Sequence, residues 1–421
     1  STDLTKSERN RNEGNKTPIE RAGASKGVSP PRRAAMGAYA SAPIDLTRVQ
    51  RSGGAFWRGA VAEMQGWRVS HEDAHFMSDG DWTVFGVLDG HCGSTVARLG
   101  ADQLPAALRE AAAAGTLAAT LVATVQQSFI SMDKWLRAHP DSKDAGSTVT
   151  TAGFHATFKD GKRSYVGFLA NAGDSRGLVL RRGVGVIAAT EDHKPDSAGE
   201  RARIVAAGGF VSDHTAVPRL DGNISVSRGF GDFDYKSVDH APEAQKLCCV
   251  PDVTGLSALS AAELRDGDVL VLACDGVFDV LDNGELGQLV LDGLASGADA
   301  GDLAADVIRG CLERDSKDNM TLMIVQVGTD GSGYAEVHRA MRWAAAPAMQ
   351  DQHETFFDAS AGNDLSTDEF KGLDHIYEQF DIKVQRAYVD FLEYCATSHG
   401  AAMGLPPDAA AVLRRARAES V

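Results

Sequence analysis

Residues 82–93 read WTVFGVLDGHCG, an apolar run that ends in Asp-Gly-His. A second stretch, residues 269–279, reads VLVLACDGVFD and follows the same plan. Short apolar runs bounded by glycine and charged residues are typical of buried β-strands. Each run therefore predicts a strand whose end places a carboxylate, Asp89 or Asp275, at the rim of the hydrophobic core.

These two aspartates belong to a larger set of acidic residues that lie beside predicted strands or glycines. The set is Glu72, Asp73, Asp89, Asp174, Asp275, Asp279 and Asp318. Several partly desolvated carboxylates repel each other unless cations neutralise them. Mg²⁺ and Mn²⁺ prefer oxygen ligands, and two such ions can activate a shared water for attack on phosphorus. Taken singly, each Asp-Gly pair is more typical of a turn, so the metal hypothesis depends on the whole set.

Strand-like and helix-like segments come in groups between residues 56 and 327. Strands are predicted over 82–88, 165–170, 269–273 and 320–327, and helices over 95–110, 118–138, 199–207 and 302–314. The strands do not alternate strictly with helices. This pattern favours an α+β fold with antiparallel sheets and with helices packed outside them.

Composition divides the chain into three parts. Residues 1–50 are rich in Ser, Gly and Pro and carry nine Lys or Arg against five Asp or Glu, which predicts a disordered basic leader. Residues 51–328 form the predicted main domain, and the glycine-rich stretch at 328–333 marks its end. Residues 335–421 predict an α-helical module.

The bulk composition excludes several classes of protein. A formal net charge of −16 argues against a nucleic-acid binder, which needs clustered basic residues. The six cysteines form no CxxC pair, which favours a reduced, cytoplasmic protein and leaves nuclear or cytoskeletal association open. No apolar run reaches the ~18 residues of a membrane helix, so no transmembrane segment is expected.

Nine motifs in a fixed order make the chain resemble the type 2C, metal-dependent Ser/Thr protein phosphatases. They are RVSHEDAH, VLDGHCG, AGSTV, NAGDSRG, EDHKPDSAGERARIVAAGGFV, ISVSRGFGDFDYK, VPDV, LACDGVFDV and SKDNMTLMIV, between residues 68 and 325. The resemblance covers about residues 50–328. It implies a two-sheet antiparallel β-sandwich flanked by helices, with metals at one end, and hydrolysis of phosphoserine and phosphothreonine in phosphoprotein substrates.

The resemblance also assigns roles to individual residues. The implied contacts of two Mg²⁺ or Mn²⁺ ions are Asp73, Asp89, the backbone carbonyl of Gly90, Asp275 and Asp318, with Glu72 holding a metal-bound water. Asp174 and Asp279, together with Asp275, match a third, weaker metal site. Arg68 is expected to grip the substrate phosphate, since a guanidinium fork fits a phosphate well.

His91 is expected to be the general acid that protonates the leaving alkoxide. A capping or core histidine is the alternative for His91 alone. Arg228, Asp232 and Asn319 are expected to support the site without binding metal. Residues 191–227 correspond to a flap beside the active site.

Two positions depart from the family pattern, and neither removes a ligand. Cys92 replaces a glycine after His91, so a positive φ there would cost of order 1 kcal/mol. His71 replaces the usual Met before Glu72.

The C-terminal part weakly resembles a degenerate EF-hand pair. Asp358, Ser360 and Glu369 take ligand positions in a twelve-residue loop, while the second loop carries basic residues there. Calcium binding is therefore not expected, and the helical tail is expected to regulate the domain or dock a protein partner or larger assembly. An unrelated amphipathic helical tail is the alternative interpretation.

Two rival functions remain open at this point. A pseudophosphatase scaffold would keep the fold and bind partners, although acids at every expected metal position disfavour it. A structural subunit of a larger assembly could retain the same site, and nothing in the sequence excludes it.

Overall fold

Two antiparallel β-sheets pack face to face in the part of the chain that the structure describes. The computed structural model describes residues 39–114, 118–212, 217–258, 260 and 262–331. The strands are β1 (Tyr39–Gly54), β2 (Trp57–Arg68), β3 (Ala74–Ser78), β4 (Thr83–Leu88), β5 (Gly90–His91), β6 (Gly146–Ser147), β7 (Val149–Lys159), β8 (Lys162–Ala172), β9 (Arg176–Arg181), β10 (Gly185–Ala189), β11 (Val211–Ser212), β12 (Arg219–Leu220), β13 (Phe230–Gly231), β14 (Asp252–Leu256), β15 (Val269–Ala273) and β16 (Met320–Val327). The helices are α1 (Thr95–Ala114), α2 (Ala118–Ala138), α3 (Ala198–Ala206), α4 (Asp275–Phe278), α5 (Asn283–Ala295) and α6 (Ala300–Glu313).

One sheet has six strands and the other has five. The six-stranded sheet runs in the order β1-β2-β16-β15-β9-β10, and the five-stranded sheet in the order β14-β8-β7-β4-β3. Two small sheets, β13-β6-β5 and β11-β12, complete the set. The predicted α+β class, with an antiparallel sandwich flanked by helices, is confirmed.

Three hydrophobic cores hold these layers together. Trp57, Phe85 and Leu169 are among the side chains buried between the two sheets. The outer face of the five-stranded sheet packs against α1 and α2, and that of the six-stranded sheet against α5 and α6. Alternate residues of β16 enter two different cores, as the period of two in a strand requires.

The strand ends explain why the acidic residues meet. In an antiparallel sheet, the end of one strand lies beside the start of its neighbour. The end of β2, the start of β16, the end of β15 and the start of β9 therefore share one edge, and these ends carry Arg68, Asp318, Asp275 and Asp174. In the five-stranded sheet, the end of β4 and the start of β3 bring Asp89 and Asp73 to the same end of the sandwich.

The prediction that residues 39–50 belong to a disordered leader was wrong. They belong to β1, which pairs with β2 from Tyr39 opposite Arg68 to Gly54 opposite Trp57. β1 also contacts α6, where Arg51 Nη2 lies 2.6 Å from Asp299 Oδ1. Tertiary pairing thus orders a polar segment that lacks a strand pattern. Residues 1–38 lie outside the described residues, as do the C-terminal module and the EF-hand-like loop with Asp358, Ser360 and Glu369.

Two further findings concern the bulk predictions. The described cysteines are all free, as the sequence indicated. No helix in the described ranges has the length and apolarity needed to cross a membrane.

Candidate metal centre

Four carboxylates from both sheets form the floor of the site. Asp73 is 3% exposed, and Asp89, Asp275 and Asp318 are partly buried. Burial raises the pKa of each of them, most strongly for Asp89 and Asp275, and the neighbouring carboxylates raise it further. This clustering of negative charge favours an added cation.

The unpaired oxygens of this cluster test whether a hard cation fits. Asp73 Oδ2 accepts a hydrogen bond of 2.6 Å from Thr321 Oγ1, whereas Asp73 Oδ1 is buried and has no hydrogen-bond partner. Asp275 Oδ1 is buried without a partner in the same way. Buried polar atoms normally have partners, and carboxylate oxygens are the ligands that Mg²⁺ and Mn²⁺ take. The donor set therefore fits such an ion.

Two basic side chains of the protein occupy part of the cluster. Arg68 Nη2 donates to Asp318 Oδ2, and Lys194 Nζ donates to Asp174 Oδ2. Among the described residues, no three His, Cys, Asp or Glu side chains are already arranged to hold a metal ion.

The remaining predicted ligands lie at the edges of this floor. Gly90 is buried in β5, and a Cβ there would lie 2.4 Å from the carbonyl oxygen of Glu72, so only glycine allows this close approach. Asp279 follows Asp275 by one helical turn, with its N–H donating to the Asp275 carbonyl at 2.7 Å. Burial raises the pKa of Asp279, which Lys194 partly offsets.

Asn319 ties Glu72 to the six-stranded sheet. The backbone N–H of Glu72 donates to Asn319 Oδ1 at 2.9 Å, while Asn319 Nδ2 donates to the carbonyl oxygens of Gln65 and Ser70 at 2.8 and 3.0 Å. One amide thus fixes the connection between β2 and β3, on which Glu72 and Asp73 lie.

Arg68 stands beside the carboxylate floor with a partly exposed side chain. Burial alone would lower its pKa, but Asp318, Asp89 and Asp275 raise it, so the guanidinium stays charged. Its side chain is 36% exposed. A permanent cation at the mouth of an acidic cluster is suited to an anionic substrate group.

His91 and Asp232 form a pair that the sequence did not reveal. His91 Nε2 lies 2.7 Å from Asp232 Oδ2, with side-chain exposures of 29% and 7%. Burial alone would lower the pKa of His91, but the charge and hydrogen bond of Asp232 raise it. A Cβ on Gly146 would lie 2.0 Å from Asp232 Oδ2 and 2.3 Å from His91 Nε2, so this position requires glycine. Asp232 was predicted only as a support; it contacts the proposed acid directly.

The two departures from the family pattern differ in character. Cys92 has φ of 57°, the left-handed value that a glycine would adopt without strain. Burial and the negative charges of Asp232 and Glu72 raise the pKa of its thiol. His71 is 6% exposed, and its Nε2 is buried without a hydrogen-bond partner.

Comparison with known proteins identifies the family. The family model Protein phosphatase 2C matches residues 57–320, which include the carboxylate floor, Arg68 and His91. The chain belongs to the protein phosphatase 2C family. Protein phosphatase ppm-1.A of Caenorhabditis elegans is 34% identical over 315 residues, covering 69% of this chain and 63% of that relative. Protein phosphatase 1B of Homo sapiens is 33% identical over 309 residues, covering 69% of this chain and 61% of that relative. The chain therefore spans less than two thirds of the length of these two relatives.

Solved structures agree with the fold. A phosphatase from a pathogenic strain of Toxoplasma gondii superimposes with a TM-score of 0.59 and 25% identity, covering 68% of this chain and 96% of that one. The serine-threonine phosphatase 2C from Toxoplasma gondii gives a TM-score of 0.52 at 22% identity, which supports the fold alone.

A cluster of charged residues holds α3, which lies in the segment that was predicted to be a flap. Glu200 on α3 lies 2.7 Å from Arg203 Nη2 and 2.9 Å from Arg228 Nη2, and it accepts a 2.5 Å hydrogen bond from Ser227 Oγ. Burial would raise the pKa of Glu200, but the two arginines and Ser227 lower it to about 2. Arg228 was predicted as a structural support, and its contacts with Glu200 and Asp252 agree with that role.

Proposed function

We propose that this chain is a metal-dependent protein Ser/Thr phosphatase that hydrolyses phosphoserine and phosphothreonine. The observation that carries the proposal is the carboxylate floor of Asp73, Asp89, Asp275 and Asp318. Burial raises the pKa of each of these four carboxyl groups. Two of their oxygens, Asp73 Oδ1 and Asp275 Oδ1, are buried without a hydrogen-bond partner. Family membership supports the same reaction.

Asp73, Asp89, the Gly90 carbonyl, Asp275 and Asp318 would hold two Mg²⁺ or Mn²⁺ ions, with Glu72 orienting a water. When bound, these ions would neutralise the carboxylates and activate water for attack on phosphorus. Asp174 and Asp279, with Asp275, would form a weaker third position.

Arg68 and His91 would act on the substrate itself. Arg68, which pairs with Asp318 in this structure, would bind two phosphate oxygens of the substrate through its guanidinium fork. His91 donates a proton to the alkoxide of the departing serine or threonine, which is a poor leaving group without it. Asp232 would accept a hydrogen bond from protonated His91 Nε2, which leaves the Nδ1–H of the imidazolium as the proton that His91 donates.

Hydrolysis of a phosphoserine peptide with Mn²⁺, compared between wild type and Asp275→Asn, tests the proposal. We expect wild-type turnover and a loss of at least ~100-fold in kcat/KM for the variant, because the floor loses one anionic ligand. Asp292→Asn, on the exposed face of α5, is the matched control and should keep full activity. Equal activity of wild type and Asp275→Asn would contradict the metal role, and no activity in any protein would favour the scaffold or structural-subunit alternative.

The tail and the location of the protein are separate proposals. We infer from the sequence that residues 335–421, which lie outside the described residues, dock a protein partner without binding calcium, and that the protein is cytoplasmic. Calorimetric titration of the full chain with Ca²⁺ tests the first inference, and a heat of binding that disappears in Glu369→Gln would contradict it.

A further inference from the structure

The sequence predicted no metal-binding or catalytic role for Lys194. It follows His193 in the segment that leads to α3, and its ammonium donates to Asp174 Oδ2. The Lys194 side chain is 35% exposed, whereas that of Asp174 is 3% exposed. The buried carboxylate of Asp174 is thus paired with the ammonium of a partly exposed lysine.

The same ammonium acts on all three carboxylates of the predicted third metal position. Burial alone would lower the pKa of Lys194, but Asp174 and Asp275 raise it. Lys194 also opposes the upward shift that burial and Asp174 give to the pKa of Asp279. Lys194 is therefore a charged group at the place where Asp174, Asp275 and Asp279 would bind a divalent ion.

We propose that Lys194 is an internal competitor for the third metal position, pairing with Asp174 in the absence of metal and leaving it when a divalent ion binds. This proposal rests on the proposed metal-dependent function. An ammonium and a divalent cation repel each other strongly at the distance set by one shared carboxylate. The apparent affinity of this position therefore includes the free energy of displacing Lys194.

The exchange requires only one side chain to move. The backbone at His193 is fixed, since its N–H donates to the Gly173 carbonyl at 2.9 Å and its carbonyl accepts from Ser227 N–H at 2.9 Å. His193 Nδ1 also accepts from Gly173 N–H at 3.2 Å. Lys194 has a flexible four-carbon stem that can carry the ammonium into solvent while the flap stays in place.

Amine acetylation of the wild-type chain tests this movement without any mutation. Treatment with an acetylating reagent, with and without saturating Mn²⁺, is followed by peptide mass spectrometry. We expect Lys194 to react severalfold faster with Mn²⁺, because its ammonium has left Asp174. Lys246 is an internal reference: it pairs with Asp221 at 2.8 Å, and its rate should not change. Equal reactivity of Lys194 under both conditions would overturn the proposal.

Calorimetric Mn²⁺ titration of the metal-stripped chain provides the second test. Lys194→Met should bind Mn²⁺ about tenfold more tightly at the weakest position, a coupling of ordinary size for two linked binding events. Lys246→Met is the matched control and should titrate like wild type. Asp174→Asn should abolish Mn²⁺ binding at the weakest position, both in the wild-type chain and in Lys194→Met.

The outcomes of the titration separate this proposal from the one on which it rests. An unchanged or weakened third position in Lys194→Met, with the tighter positions intact, would overturn the role of Lys194 and leave the metal centre standing. A wild-type chain that binds no Mn²⁺ at any position would overturn both.

Discussion

At the scale of single residues, the contact between His91 and Asp232 is the most informative. Asp232 adopts a left-handed backbone conformation with φ of 50°, and this directs its carboxylate to His91 Nε2. The conformation is held from below by Asp133, which accepts hydrogen bonds from the Gly231 N–H at 3.0 Å and from the buried Lys236 ammonium at 2.7 Å. The buried ion pair of Asp133 and Lys236 thus stabilises the strained backbone at Asp232, and the Asp232 carboxylate in turn orients the imidazole of His91.

Asp232→Asn should lower kcat on a phosphoserine peptide by about tenfold or more, because the asparagine cannot hold the protonated imidazole by charge. An activated aryl phosphate leaves without a proton, so its hydrolysis should change little. The KM for both substrates should remain near the wild-type value. Steady-state kinetics on the two substrates measures the difference.

Asp234→Asn is the control for this prediction, since Asp234 is exposed two residues away in the same loop. Equal losses on peptide and aryl phosphate in Asp232→Asn would show that Asp232 supports the site as a whole and does not position the acid.

The pair also shows what the sequence could not provide at this scale. His91 and Asp232 are 141 residues apart, and Lys194 and Asp174 are 20 apart in different segments. Motifs identify which residue types carry the chemistry. Which side chains contact each other depends on how the strand ends converge, and no local pattern encodes that.

At the scale of elements, Glu200 joins α3 to the segment that carries Ser227 and Arg228. The folded-state pKa of Glu200 is about 2, against an ordinary value of 4.5. The folded chain therefore binds fewer protons than the unfolded chain between these two pH values. The stabilisation by Glu200 is complete above pH 4.5 and is lost as the pH falls towards 2.

Glu200→Gln should reduce the free energy of unfolding by about 3 kcal/mol at pH 7, the value that a shift of this size implies for a buried carboxylate. The difference between wild type and variant should shrink as the pH falls below 4.5, because protonated Glu200 resembles glutamine. Denaturant unfolding of the metal-stripped proteins at several pH values measures this difference.

Glu110→Gln, at an exposed position of α1, should show no such pH-dependent difference. A stability difference for Glu200→Gln that stays constant from pH 7 to pH 3 would contradict the assignment of the low pKa to Glu200.

The elements also differ in how well the sequence predicted them. β15 and β16 have the predicted bounds, because both are short apolar runs in the middle of the six-stranded sheet. β1 was missed, since it contains Pro43 and several polar residues and has irregular pairing before Thr47. Its buried Asp45, Thr47 and Arg48 are placed by contacts with β2 and α6, which the local sequence does not specify.

At the scale of the whole molecule, the two sheets together create a site that neither holds alone. The six-stranded sheet carries Asp275 and Asp318, and the five-stranded sheet carries Asp73 and Asp89 at its adjacent end. Packing the sheets face to face brings these four negative charges into a small, partly buried volume. The fold tolerates this because Arg68 and Lys194 reduce the repulsion, and a divalent cation would remove more of it.

The central claim is that this acidic centre acts through bound divalent ions, and an activity titration tests it most directly. The chain is stripped with EDTA, dialysed, and assayed on a phosphoserine peptide while Mn²⁺ is added in steps. We predict no measurable phosphate release from the stripped chain and a return of activity that saturates with Mn²⁺, because Asp73, Asp89, Asp275 and Asp318 cannot activate water alone. Phosphate release that persists at the wild-type rate after exhaustive EDTA treatment, without added metal, would contradict the claim.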